Sequence, residues 1–254
     1  MTQSTLKYYP RDDFDPKKLQ ETLFSPSEDI DLYEELVLYP LRQFKKVAAE
    51  ATGDTLFDFS LTDVFQLELL SNGFNNINIL RASDSSIEDV KKWLKKEKGV
   101  SVTTQIVAAL VGSSDRKEKV ESLRKKNLQI LKWDTEKGDP TKPVELKKAD
   151  CFLSLFVLDF ISKTPEDFHS NIKKIASMLG VGKRFFLCGL LNCTLFTIGD
   201  ELYHVLPYDD HMVREALQEA GIFVISMEMK ESKVKSDAVK YDYIYFVDAI
   251  KFSE

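Results

Sequence analysis

Short apolar runs alternate with helix-patterned stretches along most of this chain, and that alternation constrains its fold more than anything else. The runs are Thr55–Ser60, Asn76–Arg81, Leu128–Trp133, Asp150–Leu158 and Arg184–Leu191. Helical patterns fall between them at Leu61–Leu70, Ser86–Glu97 and Thr164–Leu179, and a further one at Asp209–Ala220 closes at Gly221. Strands that are apolar almost throughout are buried on both faces, as in a parallel sheet lying between two layers of helices. The last two β-rich runs, Ile222–Lys230 and Tyr241–Lys251, have no helix between them. They predict a hairpin, which makes the last strand antiparallel. Ser85 and Ser86 ahead of Glu88 and Asp89 predict one helix start, and Thr164-Pro165-Glu166-Asp167 predicts another.

Ahead of the first strand, residues 1–28 are polar and turn-rich, broken by Pro10, Pro16 and Pro26. Ile30, Leu32, Tyr33, Leu36 and Val37 then recur at helical spacing up to Tyr39, and Pro40 is suited to open a second helix running to about Ala51. These pieces predict an N-terminal cover over residues 1–52 on an α/β domain over 53–254. The segment Val100–Asn127 interrupts the alternation and reads as a charged, partly helical insertion on the flank of the sheet.

With 30% charged residues and a net charge of −6, the chain lacks the basic face that nucleic acid requires. The basic runs Lys91–Lys96 and Arg124–Lys126 have Glu close by and read as solvated helix faces. Cys151, Cys188 and Cys193 follow no metal spacing and are expected to be reduced thiols. Met1–Pro10 has no apolar signal-peptide core and no apolar run is long enough to span a bilayer, so the expected location is cytoplasmic, with no membrane role.

The turn after the first strand narrows the function. It reads Asp58-Phe59-Ser60-Leu61-Thr62-Asp63-Val64-Phe65, with no glycine before Gly73. A nucleotide cofactor lying across such a strand–loop–helix turn needs glycine, because a Cβ blocks backbone approach and disfavours positive φ. The chain thus has the frame of a cofactor-binding α/β protein with its cradle filled.

Four segments, Gly53–Asp58, Val90–Glu97, Ala149–Ser154 and Ile198-Gly199 followed by Leu206-Pro207, stand in an order and spacing that resembles the nicotinamide, indolethylamine and phenylethanolamine N-methyltransferase family. Trp93-Leu94-Lys95-Lys96-Glu97 and Ala149-Asp150-Cys151 are the most specific pieces, and the resemblance runs from about Phe14 to the end. It implies a class I methyltransferase fold, a Rossmann-like sheet of seven strands with helices on both faces. It also implies S-adenosylmethionine at the strand carboxyl ends under an N-terminal lid, and methyl transfer to a small amine or pyridine.

Carried over residue by residue, the resemblance puts Asp58-Phe59-Ser60-Leu61-Thr62 where the family has Asp-Ile-Gly-x-Gly-Pro, one residue shorter and without either glycine. A tyrosine in the next helix is Phe65. The acidic residue that accepts the ribose hydroxyls is Arg81, and an asparagine near the adenine is Ser86. The aspartate on the adenine amine is kept as Asp134, and a threonine near the methionyl group is Leu155. The substrate-orienting aspartate falls at Gly189, nearby serine and tyrosine positions at Cys193, Leu195 and Phe196, and a later serine at Val205. Lid tyrosines become Leu19, Leu23 and Phe24.

Hydrogen-bonding positions have thus become apolar, and a carboxylate has become a cation. Arg81 reads either as a new anion site or as a plug of the ribose slot paired with Asp58 or Asp63, and the need of a buried charge for a partner favours the plug. Asp134 doubles as a loop cap, Asp159 reads as a buried structural acid, and His169, His204 and His211 form no triad pattern. The phenylalanines around the former site (Phe57, Phe59, Phe65, Phe152, Phe156, Phe160, Phe185, Phe186 and Phe196) read as core, with room for a pocket that takes a hydrophobic small molecule.

The expectation is a methyltransferase-fold protein that has lost cofactor and catalysis and acts as a binding, scaffold or structural protein, its partner a hydrophobic small molecule or a protein. Its alternative is an active N-methyltransferase of a substrate such as nicotinamide, holding S-adenosylmethionine through Asp58, Ser60, Arg81, Asp134 and Thr135. A third reading is a regulatory partner that dimerises with an active homologue. No catalytic residue and no metal site is expected.

Overall fold

The computed structural model describes residues 6–11, 13–24, 30–61, 64–95 and 113–253. Five parallel strands form most of the main sheet: β1 (Thr55–Ser60), β2 (Asn76–Arg81), β3 (Asn127–Lys132), β4 (Ala149–Leu155) and β5 (Leu179–Leu191). β1 and most of β4 are buried on both faces, so their polar residues Asp58, Ser60 and Ser154 are buried with them. A small second sheet of three strands joins β6 (Leu195–Ile198), β7 (Glu201–Tyr203) and β9 (Val239–Lys240), and it was not foreseen. The main sheet is completed by β8 (Ile222–Glu231) and β10 (Tyr243–Lys251), in the order β3-β2-β1-β4-β5-β10-β8. β10 runs antiparallel to both neighbours, as the hairpin argument predicts. The order reverses between β1 and β4, where Ser60 lies in register with Leu155 at the strand carboxyl ends.

The N-terminal cover departs from its expected form. Pro16 opens a helix, α1 (Pro16–Phe24), instead of breaking one, because proline lacks only an amide that the first helical turn leaves free. α2 (Ile30–Tyr33) runs through a π turn at Glu34–Leu38 into α3 (Tyr39–Val47), so the two expected helices are one bent rod. The π turn places Glu35, Leu36 and Val37 together in the interior.

Other helix bounds shift by local chemistry. α4 (Phe65–Leu70) starts later than expected: Leu61 belongs to the turn, and Thr62 and Asp63 lie outside the described residues. α5 (Asp84–Leu94) is capped by Ser83, whose hydroxyl accepts from the Ser86 amide at 3.1 Å, so Ser85 and Ser86 are already helical. In the flanking insertion, residues 96–112 lie outside the description and α6 (Ser113–Arg124) buries Leu123. Arg124 is no free solvated cation: its guanidinium lies 4.7 Å over the Trp93 ring and donates to the Trp93 carbonyl at 2.9 Å. After β4 come the short α7 (Val157–Ile161) and then α8 (Pro165–Met178), capped by Thr164 accepting from the Asp167 amide at 3.2 Å. α9 (Asp210–Glu219) ends ahead of Gly221, whose φ of +71° only glycine adopts without strain.

Candidate functional site at the carboxyl ends of β1 and β4

In an open α/β sheet, ligands lie outside the strand carboxyl ends where the strand order reverses. Here that place is occupied by the protein's own side chains. Asp58, from the middle of β1, is fully buried and so is Arg81 at the end of β2. Arg81 Nη2 donates to Asp58 Oδ2 at 2.9 Å, while Nη1 donates to the main-chain oxygens of Leu80 (2.8 Å) and Asp58 (3.2 Å). The second carboxylate oxygen of Asp58 accepts from Ser60 Oγ at 2.5 Å and from Gln66 Nε2 at 3.0 Å. Of the two partners suggested for Arg81, it meets Asp58, and Asp63 lies outside the described residues.

Gln66 was not singled out from the sequence, yet it completes this network. Its amide also donates to Ser60 Oγ at 3.1 Å. The signal available was its place at the start of α4, where the helix faces the carboxyl end of β1.

The turn after β1 is pinned on both sides of Leu61. The Leu61 amide donates to the Leu155 carbonyl at 3.1 Å, and the Leu61 carbonyl accepts from Ser86 Oγ at 3.2 Å. The amide that a glycine turn would offer to a ligand is therefore used within the sheet. Tyr9, only 1% exposed, lies edge-on to Phe14 and beside Ser83, Ser86 and Arg81. Burial pushes its hydroxyl pKa up, against the opposing pull of the Ser83 hydroxyl and the Arg81 charge.

Asp134 and Thr135 do not join this cluster. Asp134 accepts from the Glu136 amide at 3.1 Å and meets Lys137 Nζ at 3.2 Å, so it caps a turn after β3, and the turn amide with Lys137 lowers its pKa. Thr135 gives its carbonyl to Lys174 Nζ at 3.2 Å. Between them and Arg81 stands Trp133, fully buried and stacked on Phe59 at 4.2 Å, its amide donating to the Arg81 carbonyl.

Beside the ion pair lies an apolar crevice. α1 contributes Leu19 and Leu23, the π turn Leu36 and Val37, and the small sheet Phe196. Leu61, Phe65, Leu155 and Phe156 form its floor, with Ser60 and Gln66 its polar edge. The crevice encloses a cavity of about 30 Å³, room for roughly two waters.

The position matched to a substrate-orienting aspartate is also filled. A Cβ at Gly189 would stand 2.7 Å from the Tyr208 hydroxyl, 2.8 Å from that of Tyr245 and 3.0 Å from Asp159 Oδ2. Asp159 Oδ1 accepts from the Leu190 amide at 2.9 Å and from the Tyr208 hydroxyl at 2.8 Å. Burial pushes its carboxyl up to about 7, opposed by those two donors. Asp159 is the buried acid that the sequence suggests.

The histidines are dispersed. His169 meets Glu219 at 3.1 Å on a helix face, His204 stacks on Tyr8, and His211 lies exposed on α9. Cys151, Cys188 and Cys193 are free and buried, and burial pushes each thiol up. Among the described residues no acidic, histidine or cysteine group could hold a metal, and no helix is long and apolar enough to cross a membrane.

The sequence pattern of the NNMT/PNMT/TEMT family matches residues 3–252. The chain belongs to that family. The chain is similar to indolethylamine N-methyltransferase of Oryctolagus cuniculus, 29% identical over 174 residues, which are 66% of this chain and 66% of that protein. Nicotinamide N-methyltransferase of Homo sapiens is 28% identical over 206 residues, 79% of this chain and 78% of that protein. Among solved structures, the N-methyltransferase NodS from Bradyrhizobium japonicum WM9, in complex with S-adenosyl-L-homocysteine, superposes with a TM-score of 0.54 at 8% identity. That superposition covers 94% of this chain and 99% of NodS, and it establishes the class I methyltransferase fold.

Proposed function

We propose that this family member binds neither S-adenosylmethionine nor S-adenosylhomocysteine in the family manner, transfers no methyl group, and works as a binding protein. The observation that carries the reading is the Arg81–Asp58 pair, 0% exposed on both sides, standing where the resemblance puts a ribose-binding carboxylate. To admit the ribose, Arg81 must leave Asp58, and an unpaired buried charge costs about 3–5 kcal/mol. Each ligand group that then lacks a partner costs a further 1–3 kcal/mol or so, against about 8 kcal/mol in a micromolar affinity. The pinned Leu61 peptide and the narrow crevice weigh the same way.

Family membership favours the opposite reading, an S-adenosylmethionine-dependent N-methyltransferase of a small amine or pyridine such as nicotinamide. It would hold the cofactor through Asp58, Ser60, Arg81, Asp134 and Thr135. Isothermal calorimetry with S-adenosylmethionine and S-adenosylhomocysteine separates the two. No heat at millimolar ligand is the expected result; micromolar binding of either ligand would overturn the proposal.

A further inference from the structure

Three observations converge on the apolar crevice. It sits at the reversal of strand order, walled by the register neighbours Ser60 and Leu155, the place where sheets of this kind take their ligands. Among the described residues no charged side chain lines it: Ser60 and Gln66 are its polar groups, both already tied to Asp58. Two departures from regular backbone border it. Phe156 has φ 58° and ψ −6°, a left-handed conformation that a bulky side chain disfavours. The π turn at Glu34–Leu38 sets Leu36 and Val37 on the opposite wall. Strained backbone and π turns recur at ligand sites, where the surroundings hold them in place.

We propose that this crevice binds an uncharged, wholly apolar small molecule, admitted when α1 swings outward. The inference rests on the loss of cofactor binding proposed above. A carboxylate or ammonium entering here would be stripped of water with no counter-charge among the described residues, because Asp58 and Arg81 already satisfy each other. Both hydrogens of the Gln66 amide are already given to Asp58 and Ser60, so the guest is apolar along its whole length. The space now open suits about two waters, so a larger guest must displace Leu19 and Leu23. These leucines belong to α1, which the Gly199 amide ties through Thr22 Oγ1 at 3.1 Å.

The neutral fluorophore N-phenyl-1-naphthylamine is the probe, titrated into the whole protein alone and beside S-adenosylhomocysteine. Saturable, blue-shifted emission is expected. Leu23→Trp, at a half-buried position on the lid helix, and Leu155→Trp, on the floor, should each weaken binding about tenfold or more while circular dichroism stays unchanged. Phe223→Ser, on the exposed edge strand β8, should leave it intact. If Leu155→Trp misfolds, Leu23→Trp alone decides. Emission without saturation, or saturation unaffected by Leu23→Trp, would overturn the inference and leave the lost-cofactor reading standing. Displacement of the probe by S-adenosylhomocysteine would overturn both.

Discussion

At Asp159, complete burial and two hydrogen-bond donors act on one carboxyl in opposite directions, and burial prevails, placing its pKa at about 7. In the unfolded chain the same carboxyl titrates near 3.9. Between those values the folded protein keeps a proton that the unfolded chain has released. The stabilisation is therefore full below about pH 4 and is lost as the pH rises through about 7. Asp159→Asn keeps an acceptor oxygen for Leu190 and Tyr208 but cannot ionise. The Tm of the wild type relative to that variant is expected to fall between about pH 5 and about pH 8 and to level off beyond it. Thermal melts across that range check this, and parallel curves would refute it. The sequence shows why Asp159 is buried, since Val157 and Leu158 precede it and Phe160 follows. It does not show that Tyr208 and Tyr245 close over Gly189, because those contacts join strands and loops far apart along the chain.

Among the elements, the cover is held by a polar latch as well as by its apolar face. Glu35, in the π turn and fully buried, accepts from the Tyr241 hydroxyl at 2.7 Å and from the Lys233 amide at 3.0 Å. Desolvation first, and then the Glu35 carboxylate, push the Tyr241 hydroxyl pKa up, so it stays a donor. Tyr241→Phe removes one of the bonds to a buried carboxylate and should cost about 1.5–3 kcal/mol. Hydrogen exchange should quicken across Ile30–Val47 and stay slow in β1 and β4; uniform loosening of the whole protein would count against a local latch. Legibility at this scale follows the length of the hydrophobic signal. Thr55–Ser60 and Asn76–Arg81 fall on their expected bounds because the closely spaced apolar residues Leu56, Phe57 and Phe59, and Ile77, Ile79 and Leu80, leave a buried parallel strand little freedom. The four residues Leu195–Ile198 alternate in burial and pair with Val239–Lys240, a contact that no local pattern contains. α1 escapes for a different reason: Pro16 reads as a breaker in isolation and acts as a helix opener in place.

The whole molecule keeps a methyltransferase frame with a buried ion pair at its switch point, and frame and site are separable because strand order depends on apolar periodicity whereas a ligand cradle depends on a few side chains. Hence the frame and the filled turn were both readable from sequence, while the Gln66 contact and the pinned Leu61 peptide required three dimensions. If these few side chains are what keep the cofactor out, reversing them should readmit it. The variant Ser60→Gly/Leu61→Gly/Arg81→Asp restores backbone freedom, removes the guanidinium and supplies a ribose acceptor. It is expected to be less stable than the wild type, since the new carboxylate faces Asp58 without a cation. Tyr9, Leu19 and Leu23 remain in the way, so recovered affinity for S-adenosylhomocysteine should be weak, about 0.1–1 mM. At roughly ten times that Kd the ligand adds about 1.4 kcal/mol, which in a protein of this size raises Tm by some 3–5 °C. Arg81→Asp alone should show no ligand-dependent shift, because the Leu61 side chain still walls the crevice. A triple variant that keeps native circular dichroism yet gains no shift would mean that cofactor exclusion lies elsewhere, in the closed N-terminal cover rather than in the strand ends.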